Sequence, residues 1–307
     1  MLLLINMEKI QENKKRVSFS QYSMWMKCPF QYYLNYILGK RIFDANLNTC
    51  FGTAIHSAVQ TYIEKLYRES LEVADSLNLH KIFQDKFLEE LNTAKTKNPN
   101  LKYTDDDYTE FLFNGEDILK AFLNTSNRIK HFPSNKYEFI GTELPLDAEM
   151  RNNVDFIAFV DLILKEKATG RIKIYDFKTS FLGWRTEKED PAKYEQVLIY
   201  KAVYSKKFKV PLNMIDVEFF ILKRKLYENV DFPQSHIQLF TPNHNSPAIA
   251  STLNSFSQFV TECFNEDGTF NIKGSYPKIP GKAKKNCKYC QHKKVNCDAK
   301  PDKLISQ

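Results

Sequence analysis

Helical spacing of apolar residues dominates the first 130 residues of the chain. The pattern predicts a first helix that Ser18 or Ser20 caps and that ends at Cys28. Pro29 suits the first turn of a second helix, which runs to about Leu38. Further helices are predicted over 52–68, 77–91 and 109–131, with the acidic run 104–107 as a loop and cap between the last two.

The pattern changes near residue 137 to short β-rich runs that turn-like sequences separate. Strands predicted over 137–146, 154–164 and 171–178 are typical of an antiparallel meander. Beyond them the pattern predicts a helix over 192–208, strands over 213–223 and 237–241, and a helix over 249–264. The sequence therefore predicts one α/β body, with a central mixed sheet flanked by helices, an N-terminal helical region and a Cys-rich C-terminal tail.

Composition agrees with an ordinary folded protein, because 43% of the 307 residues are hydrophobic and 26% are charged. No apolar run approaches the ~20 residues that a membrane span needs, and the opening run is shorter than the about 7–15 residues of a secretory h-region. We therefore expect a cytoplasmic protein whose six cysteines are reduced thiols or metal ligands rather than disulfides. The Lys-, Asn- and Phe-rich composition suits an AT-rich bacterial or phage genome.

The net charge of +7 is concentrated at one end of the chain. The segment 271–307, the lysine-rich tail, holds ten Lys against two Asp, whereas the other 270 residues sum to −1. Such a concentration of positive charge is typical of proteins that bind a polyanion, most often nucleic acid. The alternative, a solvated tail that only aids solubility, fits the charge equally well.

An acid and a lysine alternate in the third predicted strand. Asp176 and Lys178 point to one side of a strand, while Phe177 points into the core. Asp161 follows an apolar run in the preceding strand, and Glu143 lies in the strand before that. Neighbouring strands can bring the three carboxylates together, and a hard cation such as Mg²⁺ relieves their repulsion. The alternative for an isolated Asp-x-Lys is an exposed salt bridge of little consequence.

Glu143, Asp161 and Asp176-Phe-Lys178 follow one another in the order of the motif acids and lysine of the PD-(D/E)XK nuclease superfamily, which this arrangement resembles. The resemblance implies a restriction-endonuclease-like fold and a metal-dependent deoxyribonuclease. It implies that Asp161, Asp176, His56 and the backbone carbonyl of Phe177 hold Mg²⁺ or Mn²⁺. Glu143 would bind a second ion or orient water, and Lys178 would activate the attacking water and stabilise the developing charge.

Four further features resemble the RecB-like branch, which includes the AddB nuclease and the small CRISPR-associated iron–sulfur nucleases. They are the Gly52-Thr-Ala-Ile-His56 segment, the Gln196-Val-Leu-Ile-Tyr200 segment, the Cys28-Pro-Phe30 segment and a C-terminal cysteine triplet. The resemblance implies that His56 is a metal ligand and that Gln196 and Tyr200 line the substrate groove. Without it, His56 and Tyr200 would be ordinary helix-packing residues and Gln196 a solvated one.

Two positions depart from the family's pattern. Ala158 replaces a usual glycine, and Gln60 occupies the place of an expected acid, with Glu64 one turn later. Asp155 is a rival to Asp161 as the second-strand acid. The spacing of Asp161 to the next strand leaves room for a hairpin turn and favours Asp161.

Four of the six cysteines have the spacing of a metal site. Three lie close together near the C-terminus and one lies near the N-terminus, a set that suits either zinc or a [4Fe–4S] cluster. Composition alone favours zinc as the commoner site, whereas the resemblance favours the cluster. Either would join the N-terminal helix to the tail and act as a structural element. The four are Cys28, Cys287, Cys290 and Cys297, and the remaining Cys50 and Cys263 are expected to be buried and unligated.

These features together predict one RecB-like nuclease domain over 1–307, with a helical part (18–131), a nuclease core (137–265) and the tail. The expected function is an exonuclease on single-stranded or end-containing DNA in replication, recombination or repair. No Gly-x-x-x-x-Gly-Lys-Ser/Thr loop occurs, so unwinding would require a helicase or recombination partner protein. The alternatives are a catalytically weak DNA-binding or scaffolding subunit and a zinc-stapled RNA-processing nuclease. Exonuclease versus endonuclease action, polarity, strand preference and oligomeric state stay open.

Overall fold

The computed structural model describes residues 14–42, 46–184, 191–294 and 296–297. Its helices are α1 (Phe19–Lys27), α2 (Pro29–Tyr32), α3 (Leu47–Arg68), α4 (Leu71–Asp75), α5 (Leu79–Lys97), α6 (Asp105–Leu123), α7 (Thr125–His131), α8 (Pro191–Phe208) and α9 (Ser246–Cys263). Its strands are β1 (Lys15–Val17), β2 (Tyr137–Glu149), β3 (Val154–Glu166), β4 (Ile172–Ser180), β5 (Ile215–Lys223) and β6 (Ile237–Phe240). A π-helical segment (Tyr33–Ile37) follows α2, and short 3₁₀ turns occupy Leu212–Met214, Lys282–Cys287 and Gln291–Lys294.

Six strands of the described residues form a mixed sheet in the order β1–β3–β4–β5–β6, and β2 also pairs with β3. Strands β3 and β4 are antiparallel, whereas β4 and β5 are parallel, so the chain must cross over between β4 and β5. Helix α8 is part of this crossover. The predicted mixed sheet with flanking helices is therefore confirmed.

Capping residues explain where the helices differ from prediction. Helix α3 begins at Leu47, five residues earlier than predicted, because Asn46 and Thr49 form a capping box. Thr104 and Asp107 form a second capping box, so most of the acidic run 104–107 is the first turn of α6 and not a loop.

The predicted helix over 109–131 is wrong in one respect, since it is two helices. Asn124 has a non-helical backbone (φ −55°, ψ 126°), and its side chain accepts a hydrogen bond from the Ser126 N–H at 3.0 Å. Asparagine competes with the helix for backbone hydrogen bonds, so α6 ends here and α7 begins. Helix α4 was not predicted from the sequence.

Two compact units make up the chain. The first comprises 1–40, 147–158 and 253–307, and the second comprises 41–146 and 159–252. An aromatic cluster forms the centre of the first unit, where the ring of Tyr22 lies 5.0 Å from that of Phe256 and the ring of Tyr32 lies 5.2 Å from that of Phe259. The assignment of 1–307 to a single nuclease domain stays a prediction.

The second unit has a core built on helix α3. Phe51 on this helix makes edge-to-face contacts with Phe83 and Phe87 of α5, at centroid distances of 5.6 and 6.0 Å. Phe177 of β4 and Phe220 of β5 are fully buried in the same cluster. This packing fixes α3 against the sheet and thereby places His56 and Gln60 beside the acidic strands.

No helix among the described residues has the length and apolar character needed to cross a membrane.

Candidate active site and cysteine site

Asp176 and Lys178 lie on one side of β4, as the alternation predicts. The Lys178 ammonium is 2.6 Å from Asp176 Oδ2, and the intervening Phe177 side chain is fully buried. Strand β4 extends to Ser180, two residues beyond the predicted end at 178, and pairs with β5 over its whole length. Asp176 is therefore an interior strand residue, and only 2% of it is exposed.

Asp161 lies in the neighbouring strand next to this pair. The antiparallel register pairs Leu162 with Tyr175, the residues that adjoin Asp161 and Asp176, and the two carboxyl groups are close enough to interact electrostatically. The Phe177 N–H donates to Asp161 Oδ2 at 2.5 Å, which locks the carboxylate against β4.

The rival acid, Asp155, belongs to the first unit. Its carboxylate lies 3.5 Å from the Lys14 ammonium, an ordinary ion pair. The structure thus gives Asp155 a pairing role and brings Asp161, the favoured acid, next to Asp176.

Glu143 joins the group through Gln60. The Gln60 Nε2 atom donates to Glu143 Oε1 at 2.7 Å and to the Asp161 main-chain oxygen at 3.1 Å. Glu143 itself has φ +47°, a left-handed backbone conformation that is uncommon for a residue other than glycine. Such strain is concentrated at functional sites, where surrounding contacts maintain it. From the sequence Gln60 is only a departure from the family's pattern, and no local signal indicates this bridge.

His56 approaches the site from helix α3. Its ring lies edge-to-face with the Phe177 ring at a centroid distance of 6.0 Å. One turn earlier, a Cβ atom on Gly52 would lie 3.2 Å from Thr179 Oγ1. Gly52 therefore permits the close approach of α3 to β4 that carries His56 to the acids.

The ionisation of these groups follows from their burial. Burial raises the pKa of Asp161 and of Asp176 to about 6, although the Lys178 charge opposes the rise. Burial and the same Lys178 charge lower the pKa of His56 to about 4. At neutral pH the two carboxyl groups are thus ionised, although burial makes their charges costly, and the imidazole is neutral. Ionised carboxylates and neutral imidazoles are the forms that bind metal ions.

A chain of hydrogen bonds continues from Lys178 to helix α8. Lys178 Nζ donates to Gln196 Oε1 at 3.0 Å, and Gln196 Nε2 donates to the Tyr200 hydroxyl at 2.6 Å. Tyr200 is only 4% exposed, and burial raises the pKa of its hydroxyl. The two predicted groove residues therefore also hold the Lys178 ammonium in position.

The donor set suits a hard divalent cation. Asp176 Oδ2 is buried and has no hydrogen-bond partner among the described residues, although it contacts the Lys178 ammonium. A carboxylate oxygen in this state gains from a cation. In the described part of the chain, no group of three His, Cys, Asp or Glu side chains is arranged to bind one metal ion.

The four predicted cysteine ligands line one cavity of the first unit, together with Phe30 and Leu34. All four are free thiols. Burial raises the pKa of Cys290 and Cys297, and the charges of the neighbouring cysteines raise it further. Thiols from both ends of the chain thus lie along one cavity, although no three of them are grouped as ligands of one metal ion in the part of the chain that the structure describes. Cys50 and Cys263 are buried elsewhere.

The lysine-rich tail is described to residue 297, except for residue 295. Most of its lysines are exposed in this part, and they include Lys273, Lys282, Lys285 and Lys288. Lys300 and Lys303 lie outside the described residues, as do both aspartates.

A family model for the PD-(D/E)XK nuclease superfamily matches residues 16–297. Since the match covers most of the chain, the protein belongs to the PD-(D/E)XK nuclease superfamily. The class is that of nucleases, which are phosphodiester hydrolases that typically use Mg²⁺ or Mn²⁺. A search of curated proteins finds no match.

Proposed function

We propose that the protein is a metal-dependent deoxyribonuclease of the RecB-like branch, which removes nucleotides from single-stranded or end-containing DNA in replication, recombination or repair. The proposal depends chiefly on one observation. Asp161 and Asp176 stand side by side on adjacent strands, and the Lys178 ammonium lies 2.6 Å from the second. Buried acids whose pKa values are raised, beside a positioned cation, are typical of a functional site.

Four groups of this chain would hold the metal ion: the Asp161 and Asp176 carboxylates, the His56 imidazole and the Phe177 backbone carbonyl. When bound, Mg²⁺ or Mn²⁺ supplies Lewis-acid polarisation of the scissile phosphate and lowers the pKa of an attacking water. Glu143, which Gln60 orients, would bind a second ion or accept a hydrogen bond from that water.

Lys178 supplies positive charge where negative charge develops on the phosphate oxygens. Asp176 and Gln196 hold its ammonium from two sides, so little reorganisation is needed during the reaction. The buried Tyr200 in turn orients Gln196. These contacts explain how the Gln-x-x-x-Tyr segment could serve catalysis while Tyr200 stays largely out of solvent.

The lysine-rich tail would bind the DNA backbone with little sequence preference, through release of counterions. Tyr289 in the tail is 81% exposed, and the Lys288 ammonium lies 5.1 Å from the centre of its ring. An exposed aromatic ring beside a cation suits stacking on an unpaired base. This favours a single-stranded end as substrate.

The cysteine site would hold a [4Fe–4S] cluster that joins the segment around Cys28 to the tail. Burial raises the pKa of Cys290, and main-chain N–H groups of His292 and Lys293 partly offset that rise, as hydrogen bonds to a ligating sulfur do. Zinc is the alternative. Iron, sulfide and zinc analysis of anaerobically purified protein, with an absorbance spectrum near 400 nm, distinguishes the two.

The decisive experiment is digestion of end-labelled single-stranded and duplex DNA with Mg²⁺, Mn²⁺ or chelator. We expect metal-dependent cleavage that Asp176→Asn and Lys178→Met each reduce by at least ~100-fold, while DNA binding persists. Asp155→Asn, an acid in the same strand as Asp161, is the matched control and should retain activity. Undiminished cleavage by both site variants would eliminate the assignment.

A further inference from the structure

A polar cavity of the second unit lies where strands β4 and β5 begin. Its volume is about 490 Å³, within the roughly 300–1,000 Å³ of ligand pockets. Its charged and titratable lining residues come from four places, and they are Arg171 just before β4, Asp216 on β5, Lys201 on α8 and His244 between β6 and α9. Arg171 precedes Asp176 by five residues, which is about 16 Å along an extended strand. The cavity is therefore separate from the candidate active site.

A buried lysine without a counter-ion distinguishes this cavity. Lys201 is 3% exposed, and no other lysine or arginine among the described residues is buried to this degree. Its ammonium lies 2.7 Å from His244 Nδ1 and donates to the His244 main-chain oxygen at 3.2 Å, and it forms no ion pair with a described residue. Burial lowers the pKa of Lys201, although the Asp216 charge opposes the fall. Because a buried charge without a counter-ion is costly, an anion in the cavity would stabilise this ammonium.

Two neighbouring side chains present further donors. An ammonium only donates, so His244 Nδ1 accepts from Lys201 and the proton of the neutral imidazole is on Nε2. No described residue accepts a hydrogen bond from this Nε2–H.

Arg171 accounts for the carboxylate of the cavity. Its guanidinium donates through Nε and Nη2 to Asp216 at 2.9 and 2.7 Å, which leaves Nη1 without a partner among the described residues. Two cations thus face one carboxylate, which is already paired with Arg171, and the described lining has an excess of positive charge.

We infer that this cavity binds a phosphate group, with the Lys201 ammonium, His244 Nε2–H and Arg171 Nη1 as donors. Charge-assisted hydrogen bonds from lysine and arginine to phosphate are among the strong ones. Three donors from three segments of the chain suit a group with at least three oxygens, which favours phosphate over a carboxylate. The phosphate group can belong to inorganic phosphate, to a mononucleotide or to a DNA backbone. The inference does not rest on the proposed mechanism, since none of the three donors belongs to the candidate active site.

The test measures binding of inorganic phosphate to the full chain by calorimetry and by the shift in Tm, in metal-free buffer at constant ionic strength. Lys201→Met removes the ammonium, and His244→Phe removes the Nε2 donor. Lys86→Met is the control for loss of one lysine, because Lys86 on α5 pairs with glutamates instead. Lys178→Met tests the candidate active site as the rival place for phosphate. Circular dichroism establishes that each variant is folded, and His244→Phe decides the test if Lys201→Met does not fold.

We expect one phosphate per wild-type chain and at least ~10-fold weaker binding by Lys201→Met and by His244→Phe. Lys86→Met and Lys178→Met should bind phosphate as the wild type does. Phosphate that raises Tm no more than chloride does would overturn the inference, and so would wild-type affinity in folded Lys201→Met and His244→Phe. Loss of binding in Lys178→Met would overturn it too, since phosphate would then occupy the candidate active site.

Competition experiments identify the source of the phosphate group and support the site in each case. Displacement of phosphate by dAMP indicates a mononucleotide, and displacement by an oligonucleotide with 5′-hydroxyl ends indicates a backbone phosphate. Displacement by neither indicates inorganic phosphate itself.

Discussion

Gln60 and Glu143 are 83 positions apart in sequence, yet Gln60 Nε2 donates to Glu143 Oε1 at 2.7 Å. The same amide nitrogen reaches the main-chain oxygen of Asp161 at 3.1 Å. One helical side chain therefore connects the acid of β2 to the strand that carries Asp161. Where the family's pattern has an acid, the neutral amide of Gln60 binds the Glu143 carboxylate and adds no second negative charge beside it.

Gln60→Ala should lower the nuclease rate by about 10-fold, because Glu143 loses the contact that orients its carboxylate. Gln60→Glu should lower it further, since two carboxylates would then repel each other. The rates are measured on a labelled oligonucleotide at saturating Mg²⁺. Gln258→Ala is the matched control, because Gln258 also donates to a glutamate at 2.8 Å, but on the surface of α9. Equal rates for Gln60→Ala and this control would contradict the proposed role.

Short-range patterns made the acid–lysine pair predictable from the sequence. Asp176 and Lys178 share a side of β4 because side chains alternate along a strand. The antiparallel turn between β3 and β4 places Asp161 beside them, and the turn-like sequence between the two apolar runs indicates that turn.

Contacts between distant elements were not predictable in the same way. The bridge from Gln60 to Glu143 depends on how α3 packs on the sheet and on the left-handed backbone of Glu143. The local periodicity of apolar residues indicates neither the packing of α3 nor the backbone conformation of Glu143. The burial of His292 is equally unpredictable from local patterns, because burial of a tail residue depends on the segments that fold over it.

The buried carboxylate of Asp176 should destabilise the metal-free protein at neutral pH. Its pKa rises from 3.8 to about 6 on folding, so its stabilising contribution is complete below about pH 4 and is lost as the pH rises through about 6. Asp176→Asn, which mimics the neutral acid, should therefore raise the free energy of unfolding by roughly 1–3 kcal/mol above pH 6.

Urea unfolding in chelator at several pH values measures this difference, and taking variant minus wild type cancels the part of the opposite His56 contribution that does not depend on the Asp176 charge. The difference should disappear near pH 4. Asp155→Asn is the control and should show no comparable gain. A less stable Asp176→Asn protein at pH 7.5 would mean that the ion pair with Lys178 outweighs the desolvation of the carboxylate.

Tyr200→Phe should reduce the rate without abolishing it. The change removes the hydroxyl that accepts from Gln196 Nε2 at 2.6 Å, which loosens the side chain that holds Lys178. We expect a loss of about 0.5–1.5 kcal/mol in unfolding free energy and a lower kcat with little change in KM. Tyr204→Phe, one turn later on α8 and equally buried, is the control for loss of a hydroxyl. An unchanged kcat in Tyr200→Phe would show that Lys178 needs no support from α8.

Tyr289→Ala should weaken binding to single-stranded DNA by about 1–3 kcal/mol, the usual contribution of one stacked base. Binding to a blunt duplex should change little, because its bases are already stacked on each other. Fluorescence anisotropy with both DNA forms, in chelator to prevent cleavage, measures the difference. Phe113→Ala, which truncates a ring that is 61% exposed on α6, is the control. Stacking of Tyr289 on a base requires that Tyr289→Ala loses affinity for single-stranded DNA and that Phe113→Ala does not. Equal losses of affinity for both DNA forms would indicate that the tail acts through its charge alone.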